Sequence, residues 1–336
     1  MSAAPSRPRR IVALGGGTGL PAVLRGMRAL IRDGEKADLT AVVVMSDDGG
    51  SSGRLRRSRG MPPPGDVRNC LVALAAEEDL LAGLFQHRYS GEGEKELGGH
   101  TLGNLFLAAL AEQTGSFLKA VEVSSRVLRT AGRILPATLE DVTLVGRLEN
   151  GSRAVGETEI DACREPIERI SIQPPTARTT PGVVDAIMSA DLVVIGPGSL
   201  FTSVLPNLVL ADVARAVRET RAARVMVANL VSECGEATSR LEEHLRLVEA
   251  HAGGAVIDAL LAHEGSIDDE TLARYRQEGA APLELRTDTV RGVRVVRRNL
   301  LAEGRKLRHD PRATAEGLLA AWRELKRAQG VTRLRA

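Results

Sequence analysis

A doubly wound α/β fold, with a mostly parallel Rossmann-like sheet and helices on both faces, is what three features of this chain predict. The apolar run at residues 11–14 enters the turn Gly15, Gly16, Gly17, Thr18, Gly19 and then a helical pattern. A second apolar run, residues 191–195, enters another glycine turn at Gly196, Pro197, Gly198 and Ser199. Short apolar runs alternate with helical periodicity along the rest of the chain.

Residues 1–9 are basic, contain proline and have no periodicity, which predicts a disordered tail ahead of a single domain over residues 10–330. Leu20, Val23, Leu24, Met27 and Leu30 fall on one face of a helix at 20–32. Residues 39–45 are almost continuously apolar, as in a parallel strand covered on both sides. The Gly-, Ser-, Arg- and Pro-rich stretch 49–65 predicts a long loop. Helices are expected at 66–76, 79–86, 101–113 and 116–129, with a glycine-rich connection at 88–99. An inserted β-hairpin at about 139–160 follows from two alternating runs around Asn150-Gly151. A helix at 177–189 precedes the second glycine turn. A strand at 224–228 ends at Asn229, and a helix at 238–250 and a strand at 255–261 form a further unit. A strand at 292–296 and an amphipathic helix at 311–329 close the chain.

Composition narrows the function. The 336 residues are 43% hydrophobic, enough for a large core. A net charge of +2 and an aromatic content of 2% supply neither a polyanion-binding field nor a base-stacking platform, so no nucleic-acid partner is expected. The three cysteines are odd in number, lack metal-ligand spacing and read as reduced thiols. The first ten residues have no apolar leader region, and no run of about 18 apolar residues predicts a membrane span. A cytoplasmic protein is expected.

Each glycine turn lets backbone N–H groups approach an anion, and the helix after it directs its positive end to the same place. The candidate ligand contacts are Gly15, Gly16, Gly17, Thr18 and Gly19 with Gly196, Gly198, Ser199, Leu200 and Asn207; the plain alternative is two tight turns. Asp47 and Asp48 lie at the carboxyl end of the second strand, where ligands bind in open α/β sheets. They are candidates to hold a ribose hydroxyl, to orient an attacking hydroxyl as catalytic groups, or to ligate Mg²⁺, the one candidate cofactor. Arg54, Arg56 and Arg57 could close over an anion. His100, beside Thr101 and Asn104, is a candidate acid or base, or merely a helix-end residue. Asp66, after Pro63-Pro64-Gly65, reads as a helix N-cap.

Taken together, the strings GGGTGL, SDDGGSSGRLR, PPGDVRNCLVAL, GGHTLGN, GPGSLFTSVLPNL and a terminal RHD closely resemble the gluconeogenesis factor family, over residues 10–322. The resemblance implies a fold similar to the archaeal 2-phospho-L-lactate transferase. It also implies a cytoplasmic, homodimeric protein that supports cell-wall synthesis and cell shape on gluconeogenic carbon sources, with cell-wall enzymes or regulators as partners. The implied ligand is a UDP-sugar, notably UDP-N-acetylglucosamine, touched by Thr18 and Arg308, with Asp48 a further candidate contact from its place at the strand end. A non-catalytic binder is the favoured expectation. The alternative is a transferase that moves a 2-phospholactyl group from a nucleotide diphosphate carrier to an alcohol, with Asp47 or Asp48 at the acceptor hydroxyl. The chain departs from the family pattern at 229–236 and at Pro311, which stands where some relatives carry threonine.

Overall fold

The computed structural model describes residues 7–76, 80–90, 97–232, 240–277, 280–283, 285 and 287–335. It opens with β1 (Arg9–Gly15), α1 (Gly19–Arg32) and β2 (Ala37–Val43). Helices α2 (Gly50–Arg59), α3 (Gly65–Leu74), α4 (Leu80–Gln86), α5 (Leu102–Thr114) and α6 (Phe117–Val127) precede β3 (Arg133–Pro136). An insertion follows: β4 (Thr143–Leu148), β5 (Arg153–Val155), α7 (Glu157–Ala162) and β6 (Ile167–Gln173). The main fold resumes with α8 (Val183–Ser189), β7 (Leu192–Ile195), a π-helical turn (Leu200–Val204), α9 (Leu205–Leu208), α10 (Ala211–Glu219) and β8 (Ala223–Val227). It ends with α11 (Leu241–Ala252), β9 (Ala259–His263), α12 (Asp269–Gln277), β10 (Thr289–Val290), β11 (Val293–Arg298) and α13 (Pro311–Arg335).

The main sheet has the order β10-β11-β9-β8-β7-β1-β2-β3, parallel except for the β10–β11 pair. Strand alternation divides the core. Ile11 and Ala13 of β1 pack with residues of α1, α3, α6 and α13, whereas Val12 and Leu14 pack on the other face with residues of α8, α10 and α11. This is the doubly wound arrangement. The chain runs outward from β1 through β2 to β3, then returns to β7 on the other side of β1. The resulting switch point puts both glycine turns at neighbouring carboxyl ends.

Several elements differ from expectation. Ordered chain reaches back past residue 10: Arg9 lies in β1 over the Trp322 ring, and Arg7 pairs with Asp191 at 2.7 Å. Residues 1–6 of the expected tail lie outside the described residues, as do 233–236 of the variant loop. The expected loop at 49–65 contains α2. Its basic last turn, with Arg56, Arg57 and Arg59, suits the negative helix end, and Gly60 closes it at φ 60°. Burial of Ser51, Ser52, Gly53 and Leu55 overrides their poor helix propensity. The hairpin is real but incomplete, since β6 pairs with β4 as a third antiparallel strand. Within it, residues 157–160 belong to α7 where a strand was expected. Strand β3 and helix α12 had no clear sequence signal. Among the described residues no single helix is long and apolar enough to cross a membrane.

Candidate functional site

The two glycine turns touch. A Cβ on Gly19 would lie 2.2 Å from the Pro197 carbonyl oxygen, and one on Gly198 would lie 3.6 Å from the Gly16 carbonyl. Asn229, just past β8, locks the second turn: its Nδ2 donates to the Gly198 carbonyl (3.0 Å) and its Oδ1 accepts from the Gly198 N–H (3.3 Å). Against this junction lies a cleft of about 650 Å³ whose wall includes Thr18, Gly19, Gly198, Ser199 and Asn229. Thr18 is the N-cap of α1 and makes no side-chain capping bond. Four arginines, Arg25, Arg68, Arg88 and Arg308, complete the wall, and its described residues include no aspartate or glutamate. A cleft with this lining favours a polyanion. Arg68 donates to Thr101 Oγ1 and Asn69 Oδ1, while its buried Nε has no partner.

Arg308 is held in place by its neighbour. Burial depresses the His309 pKa to about 4, so the ring is neutral at physiological pH, and His309 Nε2 lies 3.0 Å from the Ala228 carbonyl at the end of β8. In the Nε2–H tautomer it donates there. This ties the C-terminal segment to the same sheet edge that carries Asn229.

The remaining sequence candidates stand behind or away from the cleft. Gly15, Gly16, Gly17 and Gly196 form the turns without lining it. Leu200 sits in the buried π-helical turn. Asn207 is buried and donates to the Ser203 carbonyl at 3.0 Å, so it braces the second turn instead of facing a ligand. The Gly17 N–H is already taken, donating to Asp66 Oδ2 at 2.7 Å. Asp66 is therefore not the N-cap it resembled in sequence: Pro64 holds that position, and Asp66 lies in the first turn of α3. Burial raises its pKa to about 6, although the Gly17 hydrogen bond pulls the other way.

Asp47 and Asp48 do not line the cleft. They belong to an acidic corner with Asp66, Glu157 and Asp161. The Asp48 Oδ1 accepts from Thr158 N (3.1 Å) and Oγ1 (2.7 Å), at the start of α7. The Asp47 Oδ1 accepts from Gly49 N (2.9 Å), and the Asp161 Oδ1 from Thr202 Oγ1 (3.0 Å). Burial and the surrounding carboxylates push Glu157 up to about 9, so it holds its proton at neutral pH. Among the described residues no three His, Cys, Asp or Glu side chains are arranged to hold a metal ion. With one oxygen of each held by a chain donor and no third ligand arranged beside them, Asp47 and Asp48 do not form a Mg²⁺ site. Sequence reading missed Glu157 and Asp161 because they arrive on the unforeseen α7.

The arginines of the expected anion clamp are also committed elsewhere. Arg54 donates to the Gly98 carbonyl (2.7 Å), Arg56 to Asp141 (2.6 Å), and Arg57 to the Asp48 carbonyl (3.3 Å). His100 joins buried Ser51 (2.9 Å), which also accepts from Asn104 Nδ2 (3.0 Å), tying α2 to α5. Burial, then Arg54 and Arg88, lower the His100 pKa. Arg25, Arg68 and Arg88 carried no local signal and are recognisable only once the cleft exists.

Known proteins are similar to this chain over most of its length. The family model for the 2-phospho-L-lactate transferase CofD matches residues 11–301. A gluconeogenesis factor of Bacillus subtilis is 37% identical over 94% of this chain and 98% of its own length. One of Halalkalibacterium halodurans is 40% identical over 82% of this chain and 84% of its own length. A crystal structure of a Bacillus halodurans protein of the UPF0052 family superposes with a TM-score of 0.85 at 36% identity, covering 94% of this chain and all of that one. A match running from β1 to the segment after β11, around two glycine turns in contact at the switch point, places this chain in the CofD family.

Proposed function

We propose that the cleft binds a nucleoside diphosphate-sugar, with UDP-N-acetylglucosamine as the expected ligand. The reading makes the protein a cytoplasmic, non-catalytic sensor that supports cell-wall synthesis and cell shape, as the gluconeogenesis factor resemblance implies. The observation that carries it is the pairing of two glycine turns with four arginines in one acid-free cleft. Thr18 stands where it can hydrogen-bond the sugar or phosphate, and Arg308 lines the same cleft. UDP-N-acetylglucosamine at about 100-fold above Kd should raise unfolding free energy by about 2.7 kcal/mol, which a thermal shift resolves. Thr18→Ala and Arg308→Ala should each shrink that shift.

The family model's transferase description favours a second reading, 2-phospholactyl transfer from a nucleotide diphosphate carrier. A thermal shift with GDP and a deazaflavin, but none with UDP-sugars, would establish that reading in place of the first. The acidic corner supports it poorly, since neither Asp47 nor Asp48 is among the residues that line the cleft. If transfer is nevertheless observed, Asp48→Asn should leave it unchanged; its loss in that variant would return Asp48 to the reacting centre.

A further inference from the structure

Each glycine turn is held from behind by one carboxylate of the acidic corner. At the first turn the Gly17 N–H donates to Asp66 Oδ2 (2.7 Å), across 49 positions of sequence. Asp66 lies in the first turn of α3, and the same helix carries Arg68 and Asn69, which line the cleft with Thr18. The bond therefore fixes the first turn against a helix that supplies part of the cleft wall. At the second turn the support is relayed. Asp161, on α7 of the insertion, accepts from Thr202 Oγ1 (3.0 Å), and the Thr202 N–H donates to Ser199 Oγ (3.2 Å). Thr202 is buried in the π-helical turn, Ser199 is the N-cap of that turn, and Ser199 lines the cleft. Gathering these carboxylates costs stability. Burial, then Asp47, raises the Asp66 pKa against the Gly17 hydrogen bond; desolvation, then Asp48 and Asp47, raises that of Asp161 against the Thr202 hydrogen bond. The gain is positional, because the two turns approach too closely at Gly19 and Pro197 to admit a Cβ.

We propose that Asp66 and Asp161 are positioning residues for the cleft: each fixes one glycine turn, and together they set the spacing of Thr18 and Ser199 that a diphosphate must bridge. The inference rests on the binding reading above. It gives the inserted sheet a part in binding, because α7 brings Asp161 to Thr202, 41 positions further along the chain. What each turn needs is an acceptor oxygen. Asparagine keeps one for the Gly17 N–H or the Thr202 hydroxyl, and alanine does not.

The test is calorimetric titration of the full chain with UDP-N-acetylglucosamine. Asp66→Ala and Asp161→Ala should each weaken binding by about tenfold or more, the size of a lost hydrogen bond to a charged group, whereas Asp66→Asn and Asp161→Asn should stay within about threefold of the unsubstituted protein. Thr202→Val removes the hydroxyl and keeps the N–H that Ser199 accepts from. It should match Asp161→Ala, and the two together should lose no more than either alone. Ile187→Ala empties buried space in α8 and is the control: it lowers stability and should leave affinity unchanged. In the ligand-free protein the Gly19 amide NMR signal, on the opposite turn, should move in Asp161→Ala and return in Asp161→Asn. Native affinity in both alanine variants, equal losses in the alanine and asparagine variants, or a stationary Gly19 signal overturns the proposal. If an alanine variant fails to fold, native affinity in Thr202→Val overturns it instead. Absence of binding to the unsubstituted protein overturns the cleft reading, and the Gly19 signal then decides by itself whether Asp161 positions the turns.

Discussion

Gly19→Ala is expected to abolish UDP-N-acetylglucosamine binding and to lower unfolding free energy by about 3 kcal/mol, the upper range for overpacking a close contact. The new Cβ would stand 2.2 Å from the Pro197 carbonyl oxygen, 2.5 Å from its carbon and 2.9 Å from the Gly198 nitrogen. All three are backbone atoms, so no side chain can rotate out of the way and the two turns must separate. Separation moves Thr18 away from Ser199 and breaks the paired cradle. Gly83→Ala is the matched control. It lies inside α4 with nothing within 4 Å of a new Cβ, so it should stabilise the protein by up to about 1 kcal/mol through helix propensity. Chemical denaturation of both variants, with ligand titration of each, checks the pair. A Gly19→Ala protein of native stability that still binds would show that the turns tolerate separation.

Glu157→Gln is expected to stabilise the protein at pH 8, by on the order of 3 kcal/mol. In the folded protein Glu157 is pushed up to about 9, first by burial and then by Asp66, Asp47, Asp161 and Asp48, against an ordinary value of 4.5. Between those values the folded state keeps a proton that the unfolded chain has released. Stability from this group is therefore complete below about pH 4.5 and declines as pH rises toward 9. The glutamine variant has no proton to lose and should show a flatter profile across that window. Asp66, raised to about 6, adds a smaller decline of the same sign, beginning at its ordinary 3.8. Thermal melts from pH 5 to 9 measure both. A parallel decline in the two proteins would mean that Glu157 ionises freely in the fold.

The parts that were legible in sequence are those coded by neighbours along the chain. Burial on both faces wrote β1, β2, β7 and β8 into short, nearly continuous apolar runs, and a one-sided stripe wrote α1 into residues 20–32. Helix α2 was hidden because glycine, serine and arginine suit a loop, and only packing of Ser51, Ser52 and Leu55 outweighs that preference. Likewise, Asp47 and Asp48 lie at the predicted strand end, yet α7 arrives from more than a hundred residues away and turns Asp48 toward Thr158.

By itself, then, the sequence determined the fold class, both glycine turns and the family, because each depends on residue types at fixed local spacing. Tertiary structure alone decided that the turns touch, that Arg25, Arg68, Arg88 and Arg308 converge on one cleft, and that the carboxylates gather elsewhere. Direction and distance between segments far apart in the chain arise from how helices pack on the sheet, and side-chain charge takes its meaning from what that packing brings near.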